Sequence, residues 1–270
     1  MECLIRGITV HYEEYGEGKP VLNIHGWGPD NRMMSGCFEP IFEQTTQGYR
    51  RIYPDLPGFG QTPAAPWIRN SDDMLDILCE FIDAAIGREK FLLTGCSYGG
   101  YLSLGLIHKM SERIDGVILL VPMTDSNEIV DKPENLPKKQ MVWQSELLAS
   151  AEESPNFDGY MSMAVVATLE AYEKWQKHIQ PGVDIADKEF LSNYSIMDYS
   201  RSLEEALRTI TFDKPSCILT GRQDGITGYV MPYELVERFP RATFAILDCA
   251  GHALPLDNEY LFQQLVKDWL

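Results

Sequence analysis

The sequence predicts an α/β fold, with a mostly parallel sheet, helices on both of its faces and a helical insertion after the sixth strand. Three observations predict it. Short apolar runs alternate with amphipathic stretches as far as Val121, the runs are solidly apolar, and the alternation stops between Val121 and Ile218 before resuming. Solid apolar runs suit strands covered on both faces, and their alternation with helices implies parallel crossovers.

The elements follow in order. Leu4–Ile5 and Thr9–Tyr15 around Arg6-Gly7 read as a β-hairpin, and Tyr15-Gly16-Glu17-Gly18 as the turn into a third strand. That strand, Val21-Leu22-Asn23-Ile24, ends in His25-Gly26-Trp27-Gly28, a glycine-containing loop able to present backbone N–H groups to an oxyanion. Arg51-Ile52-Tyr53 is the fourth strand, and Asp72 to Ile86 is an amphipathic helix. Phe91–Thr94, the fifth strand, runs into Gly95-Cys96-Ser97-Tyr98-Gly99 and then a helix-like stretch from Tyr101 to Met110. Val117–Val121 is the sixth strand. Residues 125–211 carry helical periodicity with many Met and aromatic residues, which predicts a helical cap; residues 1–124 and 212–270 form the catalytic core. Cys217–Thr220 and Thr243–Leu247 are the last two strands, ending in Gly221-Arg222-Gln223-Asp224 and Asp248-Cys249-Ala250-Gly251-His252.

Composition narrows the function classes. The 270 residues, 44% of them hydrophobic, suffice for one large core. A net charge of −17 argues against nucleic acid and anionic membrane surfaces as partners, since phosphate binding needs clustered Lys and Arg. The cap stretch alone holds twice as many acidic as basic residues between 125 and 210. No basic segment followed by an apolar stretch opens the chain, and no run approaches the roughly 18 apolar residues of a membrane span. The six cysteines are scattered through apolar segments, as reduced thiols are. A cytoplasmic enzyme without disulfides, metal or cofactor, acting on a small molecule, is expected. Oligomeric state is not legible.

The pattern Gly95-x-Ser97-x-Gly99 between a strand and a helix is how a nucleophilic serine is mounted on a tight turn, where side chains on either side would clash. Serine, acid and histidine then follow in the order Ser97, Asp224, His252. With the Asp55-Leu56-Pro57-Gly58-Phe59-Gly60 loop after the fourth strand, nearly the whole chain resembles the α/β-hydrolase superfamily. That resemblance implies an eight-stranded, mostly parallel sheet with the cap lying over the serine. It also implies a triad in which His252 takes the Ser97 proton and Asp224 orients His252, and an oxyanion hole made by the backbone N–H groups of Trp27 and Tyr98.

Rival assignments are weighed on the same residues. Asp125, after the sixth strand, is the family's alternative acid position, while Asp248 and Asp257 lie too near His252 in sequence. His25 suits ordering its loop better than acting as a base, and the Cys96 side chain is expected to point into the sheet. Trp143, Tyr160, Met163 and Trp175 are candidate substrate contacts, although each taken singly reads more readily as cap core. Haloalkane dehalogenases and epoxide hydrolases of this family place an aspartate where Ser97 stands, which leaves the serine-based group. Hydrolysis of a small to medium carboxylic ester or thioester leads. Proline iminopeptidases, carbon–carbon bond hydrolases and cofactor-free perhydrolases share the triad. Iminopeptidases hold a substrate ammonium with cap carboxylates, for which Glu152, Glu153, Glu170, Glu173, Glu204 and Glu205 are candidates, but their motif usually reads Gly-Gly-Ser-Trp-Gly. A reading of another class is a hydrolase-like sensor of a small hydrophobic signal.

Overall fold

The computed structural model describes residues 1–45, 48–125, 143–144 and 156–270. Strands β1 (Glu2–Ile5), β2 (Ile8–Tyr15), β3 (Lys19–Ile24), β4 (Tyr49–Pro54), β5 (Phe91–Cys96) and β6 (Ile114–Leu120) precede the cap. A short pair, β7 (Trp143–Gln144) and β8 (Val166–Ala167), lies within it, and β9 (Ser216–Gly221) and β10 (Ala242–Leu247) follow. Eight strands form one sheet in the order β1-β2-β4-β3-β5-β6-β9-β10. β2 is antiparallel to both β1 and β4, and every other pairing in it is parallel. The β1–β2 hairpin closes with Ile5 opposite Ile8, leaving Arg6 (φ 50°) and Gly7 (φ 84°) as the two left-handed residues that a tight hairpin turn needs.

Alternation along each central strand sends side chains to two cores. Leu22, Ile24, Leu93, Val117, Leu119 and Ile218 join one buried cluster, while Val21, Leu92, Cys96, Ile118, Leu120 and Leu219 join the other. All six residues of β5 and of β9 are buried, which is why these segments read as solid apolar runs. On the first face packs α2 (Ser71–Ala85), entered at Asn70, whose side chain accepts from the Asp73 N–H, with Asp72 and Asp73 complementing the helix dipole. Its Met74, Leu75, Leu78, Phe81 and Ile82 form one buried stripe. Phe81→Ala would cost about 3–5 kcal/mol there. The same face receives α3 (Tyr98–Met110), which begins directly at the turn, three residues before the predicted start. The second face is covered by α1 (Asn31–Phe42) and α11 (Glu259–Trp269), through Met34, Phe38, Phe262 and Val266.

Between β6 and β9 the described chain is mostly helical, as predicted, apart from the β7–β8 pair. It forms α4 (Phe157–Met163), α5 (Leu169–His178), α6 (Gln180–Ile185), α7 (Lys188–Leu191) and α8 (Arg201–Leu207). Phe157, Tyr160, Tyr172 and Trp175 stack edge-on or tilted, with ring centroids 5.3–5.8 Å apart, as the centre of a separate small core. Two short helices, α9 (Val230–Tyr233) and α10 (Leu254–Asp257), complete the described fold. Among the described residues, no helix is long and apolar enough to cross a membrane.

Candidate active site

Ser97 sits between β5 and α3 with φ 53° and ψ −116°, a conformation L-residues rarely adopt and one that costs about 1–3 kcal/mol. Its surroundings hold it there. The Ser97 N–H donates to Leu120 O at 2.9 Å, and its carbonyl accepts from Gly100 and Met123 at 2.9 and 3.1 Å. A Cβ on Gly95 would overlap Gly99 O and Ser103 Oγ, and one on Gly99 would overlap the Ile24 and His25 carbonyls. Both glycines are therefore set by close approach of neighbouring backbone. Cys96, alternating with the serine, is fully buried in the second core, and that burial pushes its thiol well above the usual range.

Three side chains from three strand ends meet here. His252 Nε2 lies 2.9 Å from Ser97 Oγ, and His252 Nδ1 lies 2.9 Å from Asp224 Oδ2. The carboxylate fixes the tautomer: Nδ1–H donates to Asp224, leaving the Nε2 lone pair for the serine hydroxyl. Asp224 is fully buried. Burial alone would raise its pKa, but the His252 ring, the Ile226 N–H at 2.8 Å and the Thr227 hydroxyl at 2.9 Å outweigh it and hold the carboxyl below its ordinary value. The rival carboxylates are engaged elsewhere. Asp125 meets Arg208 Nη2 at 2.7 Å, and Asp248 accepts from the Gln223 amide at 2.9 Å. Asp257 accepts the Gly251 N–H at 2.8 Å with one oxygen and the Val165 and Val166 N–H groups at 2.8 and 2.9 Å with the other. This buried carboxylate ties the loop carrying His252 to the cap.

The loop after β3 passes directly over the serine, since a Cβ on Gly26 would stand 3.3 Å from Ser97 Cβ. His25, fully buried, orders it: Nδ1–H donates to Gly26 O at 2.7 Å and Nε2 accepts the Leu56 N–H at 3.0 Å. Burial lowers the His25 pKa and keeps the ring in this neutral form. The Trp27 ring is wedged edge-on between Phe59 and Tyr98, with centroids 5.2 and 5.1 Å away. Tyr98 turns its hydroxyl away, to Ser71 Oγ at 2.8 Å. As the first residue of α3, its backbone N–H belongs to the helix turn that has no intrahelical acceptor.

A cavity of about 390 Å³ opens above Ser97 and His252. Trp27, Met163 and Trp175 line it. Tyr160 does not; it is fully buried in the cap core, and its hydroxyl accepts the Thr168 N–H at 3.3 Å. The Trp143 side chain lies outside the described residues, as do Glu152 and Glu153. Met33 of α1 and Gln180 and Val183 of α6 also line the cavity, and no pattern in the sequence distinguishes them from ordinary helix residues. Among the described residues no charged side chain borders it. Glu170 and Glu173 border a different cavity, Glu204 receives the Tyr101 hydroxyl, and Glu205 pairs with Arg201 at 3.0 Å.

Comparison with known proteins agrees with this architecture. The family model described as alpha/beta hydrolase fold matches residues 19–259. The pimeloyl-(acyl-carrier protein) methyl ester esterase of Legionella pneumophila (strain Paris) is 24% identical over 268 residues, covering 97% of this chain and 100% of that protein. The 2-hydroxymuconate semialdehyde hydrolase of Pseudomonas putida is 25% identical over 290 residues, covering 100% and 93%. Among solved structures, an alpha/beta superfamily hydrolase from Oenococcus oeni PSU-1 superposes with a TM-score of 0.88 at 29% identity, covering 100% of this chain and 97% of that one.

Proposed function

The chain belongs to the α/β-hydrolase superfamily, and on that premise we propose that it is a serine hydrolase cleaving a small to medium carboxylic ester, or the corresponding thioester, through an acyl-enzyme on Ser97. The observation that carries this reading is the hydrogen-bonded series Ser97–His252–Asp224 opening onto an uncharged, largely apolar cavity. As Oγ attacks the carbonyl carbon, His252 Nε2 takes the hydroxyl proton, and Asp224 stabilises the imidazolium that results. The negative charge moves to the carbonyl oxygen, where the N–H groups of Trp27 and Tyr98 receive it. Collapse breaks the ester C–O bond, with His252 returning its proton to the leaving alcohol. Water, deprotonated by the same ring, then attacks the acyl carbon and frees the acid and Ser97.

A second reading, carbon–carbon bond hydrolysis on the same three residues, draws on the likeness to the 2-hydroxymuconate semialdehyde hydrolase. The cavity favours the ester, because a muconate carboxylate needs a cationic partner and none borders it among the described residues. Labelling with a fluorophosphonate tests the nucleophile. The phosphonyl adduct is expected on the peptide containing Ser97 and absent from His252→Ala; an adduct on another residue, or none, would refute the assignment. Ligand binding without turnover of any ester would instead point to the sensor reading.

A further inference from the structure

A second cavity, of about 330 Å³, lies beside the one over Ser97, between α1, α5 and the α10–α11 segment. Its floor is apolar, formed by Cys37, Pro255 and Phe262. Along its rim Lys174 is tied to Glu170 at 2.9 Å and to Glu259 at 2.5 Å. Two residues, Met33 and Ile179, line both cavities, so they form the septum between them. The septum is one side chain thick at the point where the cap meets the core. Helices α1 and α5 approach so closely at Gly36 that a Cβ there would collide with the His178 ring, and one turn earlier Met33 packs on the cluster containing Ile179.

The two septum residues differ in mobility. Ile179 is β-branched and buried, which leaves it stiff. Met33 is partly exposed and unbranched, with three rotatable bonds that re-pack at small cost. Either cavity alone is near the lower end of the roughly 300–1,000 Å³ usual for small-molecule sites, and joined they reach the middle of it. We infer that Met33 is a gate, and that the second cavity receives the far end of an aliphatic acyl chain whose ester carbonyl lies at Ser97. The substrate class is therefore a medium-chain ester. This rests on the ester reading of Ser97. The occupant is an apolar chain because the floor is apolar and, of the charged residues bordering the cavity, Glu170, Lys174 and Glu259 are tied to one another while Glu173 and Lys177 are exposed to solvent. Each methylene passing the septum is worth about a fourfold gain in kcat/KM.

The test is kcat/KM for p-nitrophenyl acetate, butyrate, hexanoate, octanoate and decanoate with wild type, Cys37→Phe, Met33→Ala and Met33→Phe. Cys37→Phe fills the second cavity and is expected to lower the decanoate-to-acetate ratio about tenfold or more. Met33→Ala opens the septum and raises that ratio, whereas Met33→Phe closes it and lowers the ratio without touching the floor. If Cys37→Phe does not fold, the opposed Met33 pair carries the test. A ratio within twofold of wild type in these variants, with acetate still hydrolysed, overturns the gate and leaves the ester reading standing. If no ester is turned over, the ester reading fails separately, and binding of methyl decanoate and methyl butyrate to the Ser97→Ala protein decides the cavity. Tighter binding of the decanoate, lost on adding Cys37→Phe, sustains it; equal binding overturns it.

Discussion

The sheet and the cap contribute to the site on different terms. Ser97, Asp224 and His252 follow β5, β9 and β10, strands bound into one parallel ladder with β5 and β9 buried throughout. A shift of any one of them would break ladder hydrogen bonds and expose both cores. The cap walls come from α4, α5 and α6, helices of 6 to 10 residues, too short to be stable outside their packing. Their own core is a small aromatic cluster rather than an extension of the sheet's two cores. The comparison teaches that the groups proposed for chemistry are held by register, whereas those proposed for selectivity are held by side-chain packing and a few polar ties such as Asp257. Substitutions should separate accordingly.

The largest effect is expected at the sheet ends. Asp224→Asn should lower kcat by about 10⁴, because it replaces an acceptor-only carboxylate by an amide able to donate to Nδ1 and so favours the wrong His252 tautomer. Asp125→Asn, which weakens the pairing with Arg208, should leave ester turnover within a few-fold of wild type, and the reverse pattern would move the acid to Asp125. Next is the junction of the two regions. Asp257→Ala leaves the Val165, Val166 and Gly251 N–H groups without their carboxylate, and at about 1–3 kcal/mol for a buried donor left unsatisfied it should cost several kcal/mol in urea unfolding. A loss below 1 kcal/mol would mean that the cap and the histidine loop are not coupled through it.

Acid stability gives a smaller effect with a definite sign. His25 is buried neutral with its pKa lowered, so its contribution is intact above the unfolded value of about 6.5 and declines as pH falls from there toward its folded value. His25→Gln should flatten that part of the stability profile between pH 7.5 and 5.5, and an unchanged slope would assign it to other groups. The smallest effect is in the cap wall. Trp175→Phe should alter KM several-fold and the chain-length preference while kcat for acetate changes little, since that ring lines the cavity and touches no reacting atom.

What the sequence reveals follows the same division. The central strands are legible because burial on both faces demands a solid apolar run, as in Phe91–Thr94 and Cys217–Thr220. The serine turn is legible because its glycines answer to a steric demand of the turn itself at Gly95, and of the adjoining β3 end at Gly99, in a pattern only five residues long. The cap wall is not. Tyr160 and Met163 belong to one helical turn, yet Tyr160 points into the cap core and Met163 lines the cavity, a choice made by the packing of α4 on α5. Met33 carries no signal either, because α1 reaches the cavity only through the placement of the cap. Asp257, five residues beyond His252, is too near to serve as its orienting acid. Its capture of three backbone N–H groups depends on a cap segment more than ninety residues earlier.

The central claim, that Ser97 performs the chemistry, is tested most directly by turnover of p-nitrophenyl butyrate by wild type and Ser97→Ala side by side, with circular dichroism verifying both folds. Multiple turnovers by wild type and a fall of at least about 10⁴ in kcat for the variant are predicted. Equal rates in the two proteins would contradict the account and place ester cleavage outside the Ser97–His252–Asp224 constellation.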